Sequence, residues 1–149
     1  EIYNECFPTN TKIYKNNRQF TIICGHNGYS RIDKSIVFRR IIYVSFDQIF
    51  KLKVIDIVRS KISLSISSHI GSNYKWNEVE NNKFNILENK FILELDSNYP
   101  ELNLKEKNYS ISNSTFNIGS ALNWNLSYSG KNTNNQFIYK SKWSIYRNL

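Results

Sequence analysis

The stretch Ile23-Cys24-Gly25-His26-Asn27-Gly28-Tyr29-Ser30-Arg31 brings a thiol and an imidazole within two residues of each other. A nucleophilic cysteine needs a base beside it in space, and that base generally comes from elsewhere in the chain. At a strand end, residues i and i+2 point the same way. That suits neither a catalytic pair nor, alone, a tetrahedral metal site. The only other histidine is His69, and no cysteine or acid cluster completes a zinc set. Gly25 and Gly28 therefore read as turn residues. Glu78 and Glu80 share one strand face, but two acids so placed are ordinarily solvated. The nucleophile elbow G-x-S-x-G, the P-loop and G-x-G-x-x-G are missing, so covalent hydrolysis and nucleotide chemistry have no support. The expectation is a non-enzyme that carries neither cofactor nor metal.

Recognition chemistry is better represented. In Phe38-Arg39-Arg40-Ile41-Ile42-Tyr43-Val44 two arginines interrupt an apolar strand, so one faces each side. One arginine is expected to stack on an aromatic ring or pair with an acid inside the domain. Together with Arg31, Lys34, Lys51 and Lys53, the pair could line a basic sheet face that meets anionic matter. Tyr29, Tyr74, Trp76 and Tyr99 fall in or beside expected turns, where rigid amphipathic rings either plug the ends of a sandwich or touch a partner. Arg31, Arg39, Arg40, Lys51, Lys53, Tyr29, Tyr74 and Trp76 are the candidate binding residues.

Two features bear on compartment. Cys6 and Cys24 are the only cysteines. A bridge between them, closing a loop of that length, contributes roughly 3 kcal/mol in the chain-entropy model. In a reducing compartment the same pair would be two small buried apolar residues. Asn108, Asn113 and Asn125 head Asn-x-Ser/Thr triplets. With 22 Asn and 23 Ser or Thr in 149 residues, chance placement alone gives about three glycan acceptors. Their number is thus uninformative, although Asn125 falls on the polar side of an amphipathic strand. The triplets permit an exported glycoprotein without demonstrating one.

The elements that must position these residues are strands. Ile, Val, Phe, Tyr, Trp and Ser are plentiful, whereas Ala121 is the single alanine and methionine is missing. Period-2 alternation runs through Ile62, Leu64 and Ile66, and again through Leu122, Trp124, Leu126 and Tyr128. Phe137, Tyr139, Trp143 and Ile145 repeat it. Further strands are expected over Gln19–Cys24, Ile36–Val44, Ile49–Val58, Lys83–Leu87, Lys90–Leu95 and Tyr109–Ile118, with turns at 25–28, 71–73, 81–82, 97–100 and 129–135. One helical turn is allowed within Asn98–Asn108, where Pro100 suits a first helical position. Regular strands without crossover helices predict an all-β domain over 1–149. The architecture expected is an antiparallel β-sandwich of about seven to nine strands, immunoglobulin-like in the loose sense.

The net charge of +8 lies mainly in the first half: residues 1–61 hold 11 Lys or Arg against 5 acids. No apolar run reaches the roughly 18 residues of a membrane span. The missing methionine suggests a piece of a longer surface or secreted protein.

Residues 74–98, YKWNEVENNKFNILENKFILELDSN, resemble the W-N-E strand and the strand after it in C2 domains. FNIGSALNWNLS at 116–127 is similar to their later I-G strand. The resemblance spans about a third of the chain and implies binding to anionic lipid. It departs at the calcium loops, where Val58-Arg59-Ser60-Lys61 follows Ile57 and only Asp96 sits near a matching position. Such a module would be calcium-independent.

The expected function is non-enzymatic recognition or support by a cell-surface or secreted protein: adhesion, receptor engagement, or part of a membrane-fusion machine. Its partner would be a protein or a glycan on another surface, with an anionic membrane contact possible and no specific nucleic acid. The alternatives are the calcium-independent C2-like module and a lectin-like glycan-binding domain. A lectin-like domain predicts an exposed Trp or Tyr beside a polar groove.

Overall fold

The computed structural model describes residues 7–72, 76–87, 90–95, 102–112, 115–125, 127–128 and 136–149; for 69, 71–72 and 102–128 it describes the backbone path. The described residues are all-β. The strands are β1 (Pro8–Lys15), β2 (Gln19–His26), β3 (Val37–Ser45), β4 (Lys51–Ser60), β5 (Ser67–Ser72), β6 (Asn77–Glu80), β7 (Lys83–Ile86), β8 (Phe91–Leu95), β9 (Leu102–Ser112), β10 (Thr115–Asn125), β11 (Ser127–Tyr128) and β12 (Phe137–Arg147). The helical content described is one 3-10 turn at Gly28–Arg31.

All pairings in the large sheet are antiparallel, and its strands run in the order β1-β2-β3-β4-β12-β8-β7-β6. The C-terminal strand β12 is central. It pairs along its length with β4, while its other edge is shared by β8 near Trp143 and by β11 near Tyr139. A smaller sheet has the order β5-β10-β9.

In the regular part of the large sheet the ladders assign strand residues to faces. On the inner face, Cys24 stands opposite Arg40, Arg40 opposite Asp56, and Asp56 opposite Ser141. This polar row lies between two apolar regions. On one side Trp76, Phe84, Leu93 and Leu95 form a buried cluster, with Ile70, Ile86, Trp143 and Ile145 packed against it. On the other side Ile36, Val58 and Tyr139 are buried beneath Phe38, Leu64, Ile66 and Phe137. Phe84 and Leu93 are fully buried, and burial of each side chain stabilises the fold by roughly 2–3 kcal/mol. Segment 64–70 thus covers part of the inner face. Its Leu64 N–H donates to the Tyr139 hydroxyl at 2.6 Å.

Several expected boundaries move. The alternation of Ile62, Leu64 and Ile66 does not form a strand; β5 begins only at Ser67. Leu64 and Ile66 are half-buried against Val58 and Tyr139, so the alternation records burial, whereas the Leu64 N–H goes to a side chain and not to a neighbouring strand. The expected strand Tyr109–Ile118 is divided between β9 and β10, which pair with each other across 113–114. The helical turn allowed within 98–108 is replaced over 102–108 by β9. Residues 98–101 lie outside the described residues, as do the turns placed at 97–100 and 129–135. The chain also forms β1 and β6, which periodicity alone did not single out.

Candidate functional site

Arg40 and Asp56 are the pivot of the inner face. The Arg40 Nε donates to one Asp56 carboxylate oxygen at 2.6 Å and Nη2 donates to the other at 2.9 Å. The Asp56 side chain is 3% exposed, whereas that of Arg40 is 40% exposed. Cross-strand register sets the pair directly opposite each other, so each needs only an ordinary rotamer to meet. Hydrogen bonding to Asp56 raises the Arg40 pKa, burial opposes that shift, and the carboxylate charge adds to it. The guanidinium also stands 5.8 Å from the centre of the Phe38 ring. Farther along the row, the buried Ser141 hydroxyl has no hydrogen-bond partner among the described residues.

Beside this pair opens a cavity of about 460 Å³, lined by Cys24, His26, Tyr29, Phe38, Arg40 and Asp56 on one side and by Ile66, Ser67 and Ser68 on the other. Its aromatic wall is continuous: His26 lies 4.5 Å from Phe38 and 5.0 Å from Tyr29, centre to centre. The Gly28 N–H donates to His26 Nδ1 at 3.1 Å, which leaves the Nε2 of the neutral ring as the donor. The hydrogen bond between the Asn27 N–H and the Phe7 carbonyl, with the Phe7 N–H returned to Asn27 Oδ1, holds the start of this turn against β1. After it, the hydroxyl and backbone N–H of Ser35 hold the Asp33 carboxyl below its ordinary value of 3.8. The Ser35 Oγ in turn accepts from the Lys61 N–H at 3.0 Å.

The outer face of the same sheet has a different character. Register places Lys12, Arg39, Lys51, Lys53, Arg59, Lys83, Lys140 and Lys142 there, against the acids Glu80 and Glu94. Between the cations lie Ile23, Ile41 and Ile55 in one row. Tyr43 is 5.6 Å from the Lys53 ammonium. A depression of about 350 Å³ includes Lys51, Lys53, Lys142, Asn81, Asn82 and Glu94 in its lining. Lys83 bonds Glu80 at 3.0 Å, and the Glu80 hydrogen bond raises the lysine's pKa.

The candidate residues therefore separate. Arg39, Lys51 and Lys53 stand on the outer face, Arg40 and Tyr29 line the inner cavity, and Arg31 ends the 3-10 turn. Trp76 is corrected from surface to core: it is 4% exposed among Phe84, Leu93 and Leu95. Tyr74 and Asn113 lie outside the described residues, as does Asp96, the one acid near a C2 calcium position. Asn108 and Asn125 are placed by backbone alone, in β9 and β10. Cys24 is a free, half-buried thiol among the described residues, and Cys6, its expected partner, lies outside them. Phe7 already bonds Asn27, three residues or about 10 Å along the strand from Cys24.

Reading from the sequence missed Asp56, Ser67, Ser68, Lys140 and Lys142. Asp56 had a usable signal, because it is the only acid within the apolar run Val54-Ile55-Asp56-Ile57-Val58 and a lone buried acid needs a cation. Lys140 and Lys142 alternate with Tyr139, Ser141 and Trp143, but only strand order brings them beside Ile57 and Ile55. No group of three His, Cys, Asp or Glu side chains able to hold a metal occurs among the described residues. No protein-family model matches the chain, and no curated protein matches it.

Proposed function

We propose that this chain is a non-enzymatic recognition or support domain of a secreted or cell-surface protein, which engages an acidic partner surface through the outer face of its large sheet. The segregation of charge carries the reading. Among the described residues, register gives the inner face the cations Lys15, Arg40 and Arg147 with Asp56 and Glu78, while the outer face gathers eight lysines and arginines against Glu80 and Glu94 around a strip of isoleucines. Clustered cations on a rigid sheet raise the local concentration of an anionic partner and speed its capture. The isoleucines supply apolar area once contact is made.

A loose immunoglobulin-like sandwich accompanies this proposal. It is supported by Leu64, Ile66 and Ile70, which pack onto the inner face from the segment that leads into and forms β5. The same basic face suits anionic lipid, as the C2 resemblance implies.

The test is retention on immobilised heparin and on phosphatidylserine vesicles across a salt series, for the native protein and for the double variant Lys53→Glu/Lys142→Glu. Both substitutions are on the outer face and leave the core untouched. Native protein should be retained on heparin and released by salt, with the variant at least tenfold weaker, because each lost phosphate- or sulfate-type contact lowers the salt slope by about one. Equal elution of the two proteins would refute the outer-face reading. Retention on vesicles alone would move the partner from glycan or protein to membrane.

A further inference from the structure

We infer that the inner-face cavity is a binding site for an acidic sugar, whose carboxylate is taken by the free end of the Arg40 guanidinium. This site is separate from the basic outer face and stands or falls independently of it.

The argument begins with how Arg40 is used. A guanidinium offers five N–H donors in a rigid plane. Asp56 engages Nε and one Nη2 hydrogen, the side edge of the fork, at 2.6 and 2.9 Å. Nη1 and the second Nη2 hydrogen, the end edge, have no protein partner among the described residues. That end edge has the spacing that accepts a second carboxylate with two parallel bonds. Arg40 lines the cavity with a side chain that is 40% exposed, so the edge is accessible. Asp56, fixed in the core, prevents the arginine from swinging, and a donor held in place loses little entropy when a ligand arrives.

Asp56 also limits what the site accepts. It already balances the arginine charge, so little net field remains to attract a multiply charged anion. Selection then rests on geometry, which favours a planar single-charge carboxylate over a phosphate. The remaining walls suit a ring bearing hydroxyls. Tyr29, 42% exposed, and the adjoining His26 and Phe38 rings present an apolar surface to ring C–H groups. Across the opening Ser67 and Ser68 supply hydroxyls. A purely aromatic acid would leave these polar groups unpaired. At about 460 Å³ the cavity falls within the ordinary range of small-ligand sites, roughly 300–1,000 Å³.

Nitrogen-labelled protein titrated with methyl β-D-glucuronide, N-acetylneuraminic acid and the neutral methyl β-D-glucoside provides the test, read by two-dimensional NMR. An acidic sugar should shift the Arg40 Nε–H and the Tyr29 and Ser68 amides saturably, and the glucoside should bind at least tenfold more weakly. Arg40→Lys keeps the charge and removes the fork, so affinity should fall about tenfold or more. Tyr29→Ala, at an exposed position that leaves the Arg40–Asp56 pair intact, should weaken binding severalfold and guards against misreading a folding defect. Lys53→Glu/Lys142→Glu should leave the titration unchanged. The inference is overturned if neither acid shifts these resonances, if the glucoside binds equally well, or if the shifts map to Lys53 and Lys142.

Discussion

At residue scale, the pair of Arg40 and Asp56 decides how the middle of the sheet is held. Removing one partner from a buried pair leaves an uncompensated charge, whereas replacing both with apolar groups can be neutral or better. Arg40→Ala should therefore lower stability by roughly 2–4 kcal/mol, the lower part of the usual range because solvent reaches the guanidinium. Arg40→Met combined with Asp56→Leu should recover most of that loss, as read by urea denaturation of the single and double variants. Recovery that fails would mean that the pair itself stabilises the fold. Next along the row, Ser141 is 1% exposed and its hydroxyl is unpartnered among the described residues. Ser141→Ala removes a desolvated donor and should raise stability by about 0.5–1 kcal/mol. A loss on thermal denaturation would show that the hydroxyl bonds a buried water or a residue outside those described.

At the scale of elements, β2 depends on one missing side chain. A Cβ on Gly25 would approach the Phe38 carbonyl to 2.6 Å and the Thr9 Oγ to 3.0 Å, because β1 and β3 both press against β2 at this point. Backbone cannot yield as a flexible side chain can. Gly25→Ala should cost about 1–3 kcal/mol, with hydrogen exchange accelerating first in β1. Uniform exchange throughout the sheet would contradict that order. The sequence had presented Gly25 as a turn residue, because Gly25 and Gly28 bracket polar residues; in fact β2 continues to His26. The strands legible beforehand were those with apolar runs or strict alternation, namely β2, β3, β4, β7, β8 and β12. β1 was illegible because its residues are mostly exposed and polar, which erases the periodic signal. The candidate site was legible only in part, for a related reason. Arg39 and Arg40 announce opposite faces through adjacency, but Asp56, Ser67 and Ser68 join Arg40 only through register and through the return of segment 64–70 over the sheet.

At the scale of the whole molecule, the large sheet is two-sided. One face meets the core and the covering segment, and the other holds cations on β1, β3, β4, β7 and β12 around isoleucines. Such a face survives in water because the charges interrupt the apolar strip. The central position of β12 joins both ends of the chain into one ladder, so opening its pairing with β4 would divide the sheet in the middle. The opposite situation holds at the margin. β1 pairs with β2 and with no other described strand, while Ile13 and Tyr14 are 66% and 54% exposed. Unpaired backbone beside exposed apolar side chains is a template onto which a second copy could dock and polymerise. Asn10, in the left-handed region at φ 51°, distorts that margin, and Lys12 and Lys15 repel a like-charged neighbour. The two lysines, Lys12 on the basic outer face and Lys15 over Phe20 on the other, are therefore guards of the monomer. Lys12→Gln/Lys15→Gln should turn a clear concentrated solution into thioflavin-positive fibrils. If it stays monomeric by light scattering, the bend at Asn10 suffices alone.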